Sequence, residues 1–546
     1  MRNVVTISTG FALLAALAAC ETGPGQAKDP PVLTITSPAR SLIQGAAGKL
    51  AVTGTAMPNA QGDALARVMV NDVQAAVSPD GSFTAMIDIP QGATLIQTVA
   101  TDVNGISATD TRAVEAGRLH AVGTNIERAV AAAISASGFA RLSAAAGGII
   151  KGLDVSAMLR PLQPMLSLGN SLANLKLSVD NVKFSDVKIS LTPVAGGLSF
   201  GAEIDKLDVT GHIDFAGTLV PDGSTSLRVT ADKIVVAGTL HITPNGMAGF
   251  KTSLSNPNVQ ISNPDLSVSG VPSLILDLLD VNDVIAKVIP PVAELAMGPV
   301  VNLALGALAG PKQIDLFGKK LDMQVAPSMI DFTPDGGVVE MNMKAMLEGS
   351  EQSPGFIFTD NGAPALDRVY GLQIGLADDL ANEMLAEMHA LGMLNLTMPQ
   401  NAGVFDTAQI QLTMPPMISA DATDGEMRVV LGDMFATFTS HGTPVGKAAI
   451  NARIDLRISP LAGGGAVALQ LGKPEIHVNT LDDVANTTGL ADKDLAAATG
   501  AVLGAQIDAI TKLLGAIPIP AIAGLQFHDL SISADDGYVM VSGQLQ

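Results

Sequence analysis

The sequence predicts an α+β chain. A small β-sandwich precedes two modules, each a long helix wrapped by a strongly curved antiparallel sheet. Three observations predict it. Residues 33–115 alternate apolar and polar at period two between turn signals. From 119 the spacing becomes helical, with Val122, Ile126, Val130 and Ile134 stacked, and long one-side-apolar strands follow from Leu175 to about Thr243. The end of the chain repeats that form. Leu503, Ile507, Ile510 and Leu514 share one helical face, Pro518 and Pro520 stop the helix, and alternating residues from Leu525 to Val541 flank a turn at Asp535-Asp536-Gly537.

Composition narrows the class. At 546 residues the chain has room for about three domains. It is 47% hydrophobic and only 15% charged, with a mean hydropathy of +0.37, which excludes general disorder. Tryptophan is absent, so apolar volume comes from Ala, Leu, Ile, Val and Met. A net charge of −21 without a Lys/Arg cluster argues against nucleic acid as a partner. The same charge argues against strong attraction to an anionic bilayer surface.

Residues 1–19 read as a signal peptide: Arg2, then an apolar run from Phe11 to Ala19 that is too short for an ordinary membrane span. Leu17-Ala18-Ala19-Cys20 resembles a bacterial lipobox, which implies cleavage before Cys20 and lipidation of that residue, the chain's only cysteine. Glu21, rather than Asp, follows it and favours the outer membrane. Residues 20–32 then read as a lipidated, Gly/Pro-rich tether.

In residues 33–115, strands are expected near Leu33–Ile35, Leu50–Val52, Arg67–Val70, Phe83–Ile89, Leu95–Ala100 and Thr111–Val114. The stretch 70–105 resembles the Ig-like modules of bacterial surface proteins and secreted glycan-active enzymes, without their cysteine pair. Asp102 and Asn104 sit in a D-x-N-G turn, which reads as a turn rather than a calcium site. With no Trp or Tyr to stack on sugar, the module reads as a spacer or a dock for a protein partner.

The first module is expected over 116–312 and the second over 313–546. Residues 283–309 are the most hydrophobic internal run, but Lys287, Glu294 and three prolines make them a buried or lipid-contacting helix rather than a span. Residues 374–393 read as an amphipathic helix with Leu376, Leu380, Met384, Met388 and Leu391 on its apolar face. Thirteen of the 22 methionines lie between Met323 and Met434, as core packing or as an adaptable apolar lining.

The order helix, long twisted strands, helix, then the same again resembles the bactericidal/permeability-increasing protein family and the wider superfamily of tubular lipid-binding proteins. Residues 371–396 and 517–545 carry the most specific local likeness. The resemblance implies two tubular modules, each with an apolar pocket for lipid acyl chains. It departs from the family in lacking the first module's disulfide and the basic residues of endotoxin-binding members, so no antibacterial role is implied.

No catalytic constellation emerges. Phe438-Thr439-Ser440-His441-Gly442 lacks the first glycine of a nucleophile elbow, and Gly442–Lys447 is one residue short of a phosphate-binding loop. The seven histidines show no metal-ligand spacing. The expectation is therefore a lipid-anchored, non-enzymatic binder of phospholipid or another acyl lipid, with no metal or other cofactor. Its apolar lining would come from the helix faces at 376–393 and 503–514. The alternative is a structural or adhesive surface lipoprotein whose Ig-like module docks a partner.

Overall fold

The computed structural model describes residues 29–270 apart from 220, then 289–295, 297–298 and 301. It further describes 310–481 apart from 317, 360, 370, 400–404, 421–426 and 462–465, and finally 516–518 and 527–545. The expected signal peptide, Cys20 and the expected helical face of Leu503, Ile507, Ile510 and Leu514 lie outside the described residues.

The chain divides into two compact units: residues up to 37 with 51–86 and 97–110, and residues 38–50 with 87–96 and 111–546. In the smaller unit, Val32–Ser37 pairs antiparallel with residues 53–57, and residues 65–70 with 98–102. The Ser82–Ile89 strand alternates inward Phe83, Ala85, Ile87 and Ile89 with outward Thr84, Met86 and Asp88. All six strands expected between 33 and 115 are present, each somewhat longer than its apolar signal.

Among its described residues the larger unit is mostly β, with three large antiparallel sheets and a short antiparallel pair, Leu119–His120 with Phe356–Ile357. The first is curled and runs in the order Leu166–Gly169, Asn174–Lys183, Gly197–Ala216, Gly223–Pro244, Phe250–Ser262. Asp186–Val194 continues the pairing along Gly197–Ala216, so 174–216 is one long hairpin interrupted opposite Lys206, whose φ is 51°. Such bulges bend a sheet on itself. The second curled sheet runs from Leu396 to Leu481, adds the Ala516–Pro518 strand at one end, and has its own core, where Phe405 meets Phe438 at 4.9 Å beside Ile410, Met434 and Ile450.

A seven-stranded sheet draws on four distant stretches, one before the first curled sheet, two between the curled sheets and one after the second. Its order is Gly310–Leu316, Lys319–Thr333, Gly336–Leu347, Ile126–Ser135, Leu372–Ala377, Tyr538–Leu545, Phe527–Asp535. The boundary expected at 312/313 thus falls inside its Gly310–Leu316 strand.

Among the described residues, long helices wrapped by sheet do not occur. The expected helix from 119 is instead the Ile126–Ser135 strand followed by a helix over Ala136–Lys151. The reason is burial on both faces: Ala129, Ala131 and Ala133 are as inaccessible as Val130, Ala132 and Ile134. A strand buried on both sides loses the alternation that marks strands in sequence, and its alanines mimic helix propensity. The helix expected over 374–393 is shorter, Asp379–Ala390, and Leu376 lies in the preceding strand with 41% exposure. In the apolar run 283–309, residues 289–295 are helical. No single described helix is long and apolar enough to cross a membrane.

Asp433 is a fixed point of the larger unit. Fully buried, it accepts hydrogen bonds from Arg40 Nη1 (3.0 Å), Ser41 N (2.6 Å), Ala113 N (3.2 Å) and Asn451 Nδ2 (3.2 Å). It clasps residues 38–44 and 111–113 onto the second curled sheet. A buried carboxylate with so many donors is satisfied; removal of any one leaves a costly orphan.

Candidate functional site

The most uniform concave surface lies inside the first curled sheet. Strand alternation turns Val179, Phe200, Ala202 and Leu207 inward. The Ala136–Lys151 helix, capped by Ser135 accepting from Gly138 N, lays Ile150 on one side. The Val155–Leu159 helix adds both its terminal residues, and helical residues 289–295 close another side with Ile289, Val292 and Ala293.

Every one of the 17 lining residues is apolar. Several polar groups of the lining elements are paired with backbone. Asp154 accepts from Ala157 N, Ser156 from Val182 N, and Gln163 bonds both backbone groups of Val179. Glu294, the charge that argued against a span, accepts from Leu254 N at 3.3 Å. The cavity encloses about 60 Å³, room for about two waters' worth of liquid volume. Sites that enclose a whole drug-sized ligand span ~300–1,000 Å³. Val182, Phe184, Ile189, Ile204 and Val209 are only half-buried, so the lining reaches the surface.

A second cavity, of about 340 Å³, lies where Met427, Leu456 and Ile458 face Ile532, Ala534 and Val539. It is larger but mixed, with Arg457, Ser459 and Ser533 in its wall. The first is the better acyl site because an apolar ligand gains nothing from desolvating those polar groups.

Leu376, Leu380, Met384, Met388 and Leu391, expected to line a pocket, are not in the wall of either of these two cavities. Met384, Met388 and Leu391 pack with Met323 and Met393 over Leu321, Ala345 and Leu347; Leu380 packs near Phe356 and Ala386. The Asp379–Ala390 helix turns its acidic face inward instead, burying Asp379, Asn382, Glu383, Ala386 and Glu387. Glu383 accepts from Gly123 N at 2.7 Å, and Glu387 from Leu347 N at 3.0 Å and Ser350 Oγ at 3.1 Å. Burial pushes the Glu383 carboxyl up to about 8 and raises Glu387 as well.

The residues that do line the cavity had a visible signal. Val187, Ile189, Phe200, Ala202 and Ile204 belong to the alternating stretches read as one apolar sheet face, and inward residues of a curled sheet are the natural lining. Asp102 is an ordinary turn residue: Oδ1 accepts from Asn104 N and Ile106 N, each at 2.8 Å.

Comparison with known proteins adds the following. Residues 31–117 match the family model described as glucodextranase, domain B, which bears on the N-terminal β domain alone. No curated protein matches. Among solved structures, a lipopolysaccharide binding protein is similar at 14% identity with a TM-score of 0.36, covering 77% of this chain and 99% of that one. P47 from Clostridium botulinum A2 is similar at 10% identity and a TM-score of 0.26, covering 76% and 96%. P47 of Clostridium botulinum E1 is similar at 9% and 0.26, covering 78% and 100%. Likenesses this distant carry no functional argument, and the cavity must carry its own.

Proposed function

We propose that the chain is a membrane-anchored lipid-binding lipoprotein that holds acyl chains inside its first curled sheet. The observation that carries this reading is the wholly apolar lining, which contributes about 25 cal/mol for each Å² of hydrocarbon removed from water and offers nothing to a headgroup. The ligand is therefore an acyl chain whose polar end stays outside. Given the present volume, entry parts the helical wall from the sheet. Cys20 supplies the anchor, in the outer membrane, and keeps the cavity close to its lipid source. The reading requires no catalysis and no cofactor besides the lipid.

The test is native mass spectrometry with lipid extraction of the full chain from membranes. Stoichiometric acyl lipid is expected, reduced when Ala202→Asp puts a carboxylate in the lining. A lipid-free mass after incubation with native membrane lipids would sink the reading. The small volume favours a second reading, in which the module is simply packed shut and the protein is a structural or adhesive surface lipoprotein. That reading predicts no lipid in either form.

A further inference from the structure

Tight turns ordinarily give water small or polar residues. Two neighbouring turns of the first curled sheet give it leucines. Leu172 is 50% exposed and Leu219 is 62% exposed. Both are held rigidly. Asn170 Oδ1 accepts from Leu172 N at 2.9 Å, and Asn170 N donates to Ala173 O at 2.9 Å. Leu219 N donates to Leu172 O at 3.0 Å and Thr218 N to Ser171 O at 3.2 Å, so the turns are joined backbone to backbone. A Cβ on Gly217 would stand 2.3 Å from Leu172 O, which shows how closely they are pressed. Single exposed leucines are common; two on adjoining, fixed turns form an apolar point.

We propose, resting on the lipid-binding reading above, that this point inserts into the headgroup layer of an uncharged, zwitterionic bilayer. Charge selects the surface. The described residues of the two turns hold no cation, and Asp222 follows the second. Behind them Lys176 stands opposite Asp214, and His212 lies 3.1 Å from Asp180. Near the turns, Asp214 and Asp222 against the single lysine Lys176 repel an anionic surface and leave a neutral one accessible.

The interior selects a bilayer over a protein groove. Leading away from Leu172, the Asn174–Lys183 strand buries Leu175, Leu177 and Val179; leading away from Leu219, Phe215 and Ile213 are buried. Val179 lines the cavity. Seven residues of strand span ~23 Å. A run of buried apolar side chains of that length therefore lies between the exposed leucines and the cavity, which a protein partner would not need and an acyl chain leaving a membrane would.

The chain has no tryptophan, so one introduced residue reports alone. The experiment uses the full chain with Cys20→Ser, to remove the acyl anchor, carrying Leu172→Trp or Leu219→Trp. Val103→Trp, at a 63% exposed position in the smaller unit, is the control. With phosphatidylcholine vesicles, both turn variants are expected to shift their emission to the blue and to be quenched by brominated acyl chains, while the control stays water-like. A Leu172→Asp, Leu219→Asp double variant should lose vesicle binding at least tenfold. Water-like emission at both turns with phosphatidylcholine overturns the proposal, as does a response confined to anionic vesicles or to a protein partner. Lipid found by mass spectrometry without a turn signal removes the docking point and keeps the cargo; a turn signal in a lipid-free chain does the reverse.

Discussion

Two helices of the larger unit leave the central sheet in the same way and bury opposite chemistries. Ala136–Lys151 follows the Ile126–Ser135 strand directly and buries Phe139, Leu142, Ala146 and Ile150. Asp379–Ala390 follows Leu372–Ala377 and buries Asp379, Asn382, Glu383 and Glu387. The first forms the wall of an apolar cavity. The second is a clasp whose carboxylates satisfy backbone donors from Gly123, Leu347, Thr359 and Ala420. The inward face of a helix is thus decided by what waits for it: an apolar sheet face selects leucines, and unpaired N–H groups select acids.

The contrast is sharpest in its pH dependence. The Glu383 carboxyl is raised to about 8 by burial, so it is neutral in the folded protein where the unfolded chain is already ionised. Its contribution to stability is therefore complete below about pH 4.5 and is lost as pH rises through about 8. Glu383→Gln keeps the shape and removes the titration. Urea denaturation should find it matching the parent near pH 4.5 and more stable at pH 8–9, by up to roughly 4–5 kcal/mol. Parallel stability–pH curves would mean that Glu383 is solvated and the clasp is not closed.

The apolar helix should respond to volume instead. Leu142→Ala is expected to cost ~2–5 kcal/mol at any pH, whereas Met388→Ala on the half-buried methionine face should cost less than half as much. Equal costs would erase the distinction between the two helices. The smallest effect concerns their starts. Ser135 caps the first helix, so Ser135→Ala should cost ~1 kcal/mol in the same assay. At the second, Asp378 makes no cap bond and instead accepts from Ala420 N at 2.8 Å. A cost near zero for Ser135→Ala would show that tertiary packing alone fixes the first helix.

Much of the strand framework was legible in the sequence, because one-sided burial writes period two into residues such as Phe83–Ile89 and Leu198–Ile204. The central strand was not, since two-sided burial makes IERAVAAAIS look helical. Nor was the polarity of Asp379–Ala390. Its amphipathic pattern was visible, but the donor that orients Glu383 comes from Gly123, 260 positions away. The cavity was half legible: its strand residues were marked by alternation, while the helical contribution from Ile150, Val155 and Leu159 required knowing where the chain turns back.

The make-up of the central sheet also constrains the order in which the molecule can assemble. Its fourth strand, Ile126–Ser135, finds one neighbour at 336–347 and the other at 372–377, whose own outer partner is Tyr538–Leu545. Tyr538 Oη donates to Arg128 O across 410 positions. Closing loops of that length is entropically costly and slow. Until the final hairpin arrives, the 372–377 strand presents an unpaired edge, the feature most prone to pairing with the wrong chain. The first curled sheet and most of the second, built from hairpins near in sequence, can form early and locally. The central sheet can only be finished last, so its completion is the step at which this chain is most exposed to misassembly.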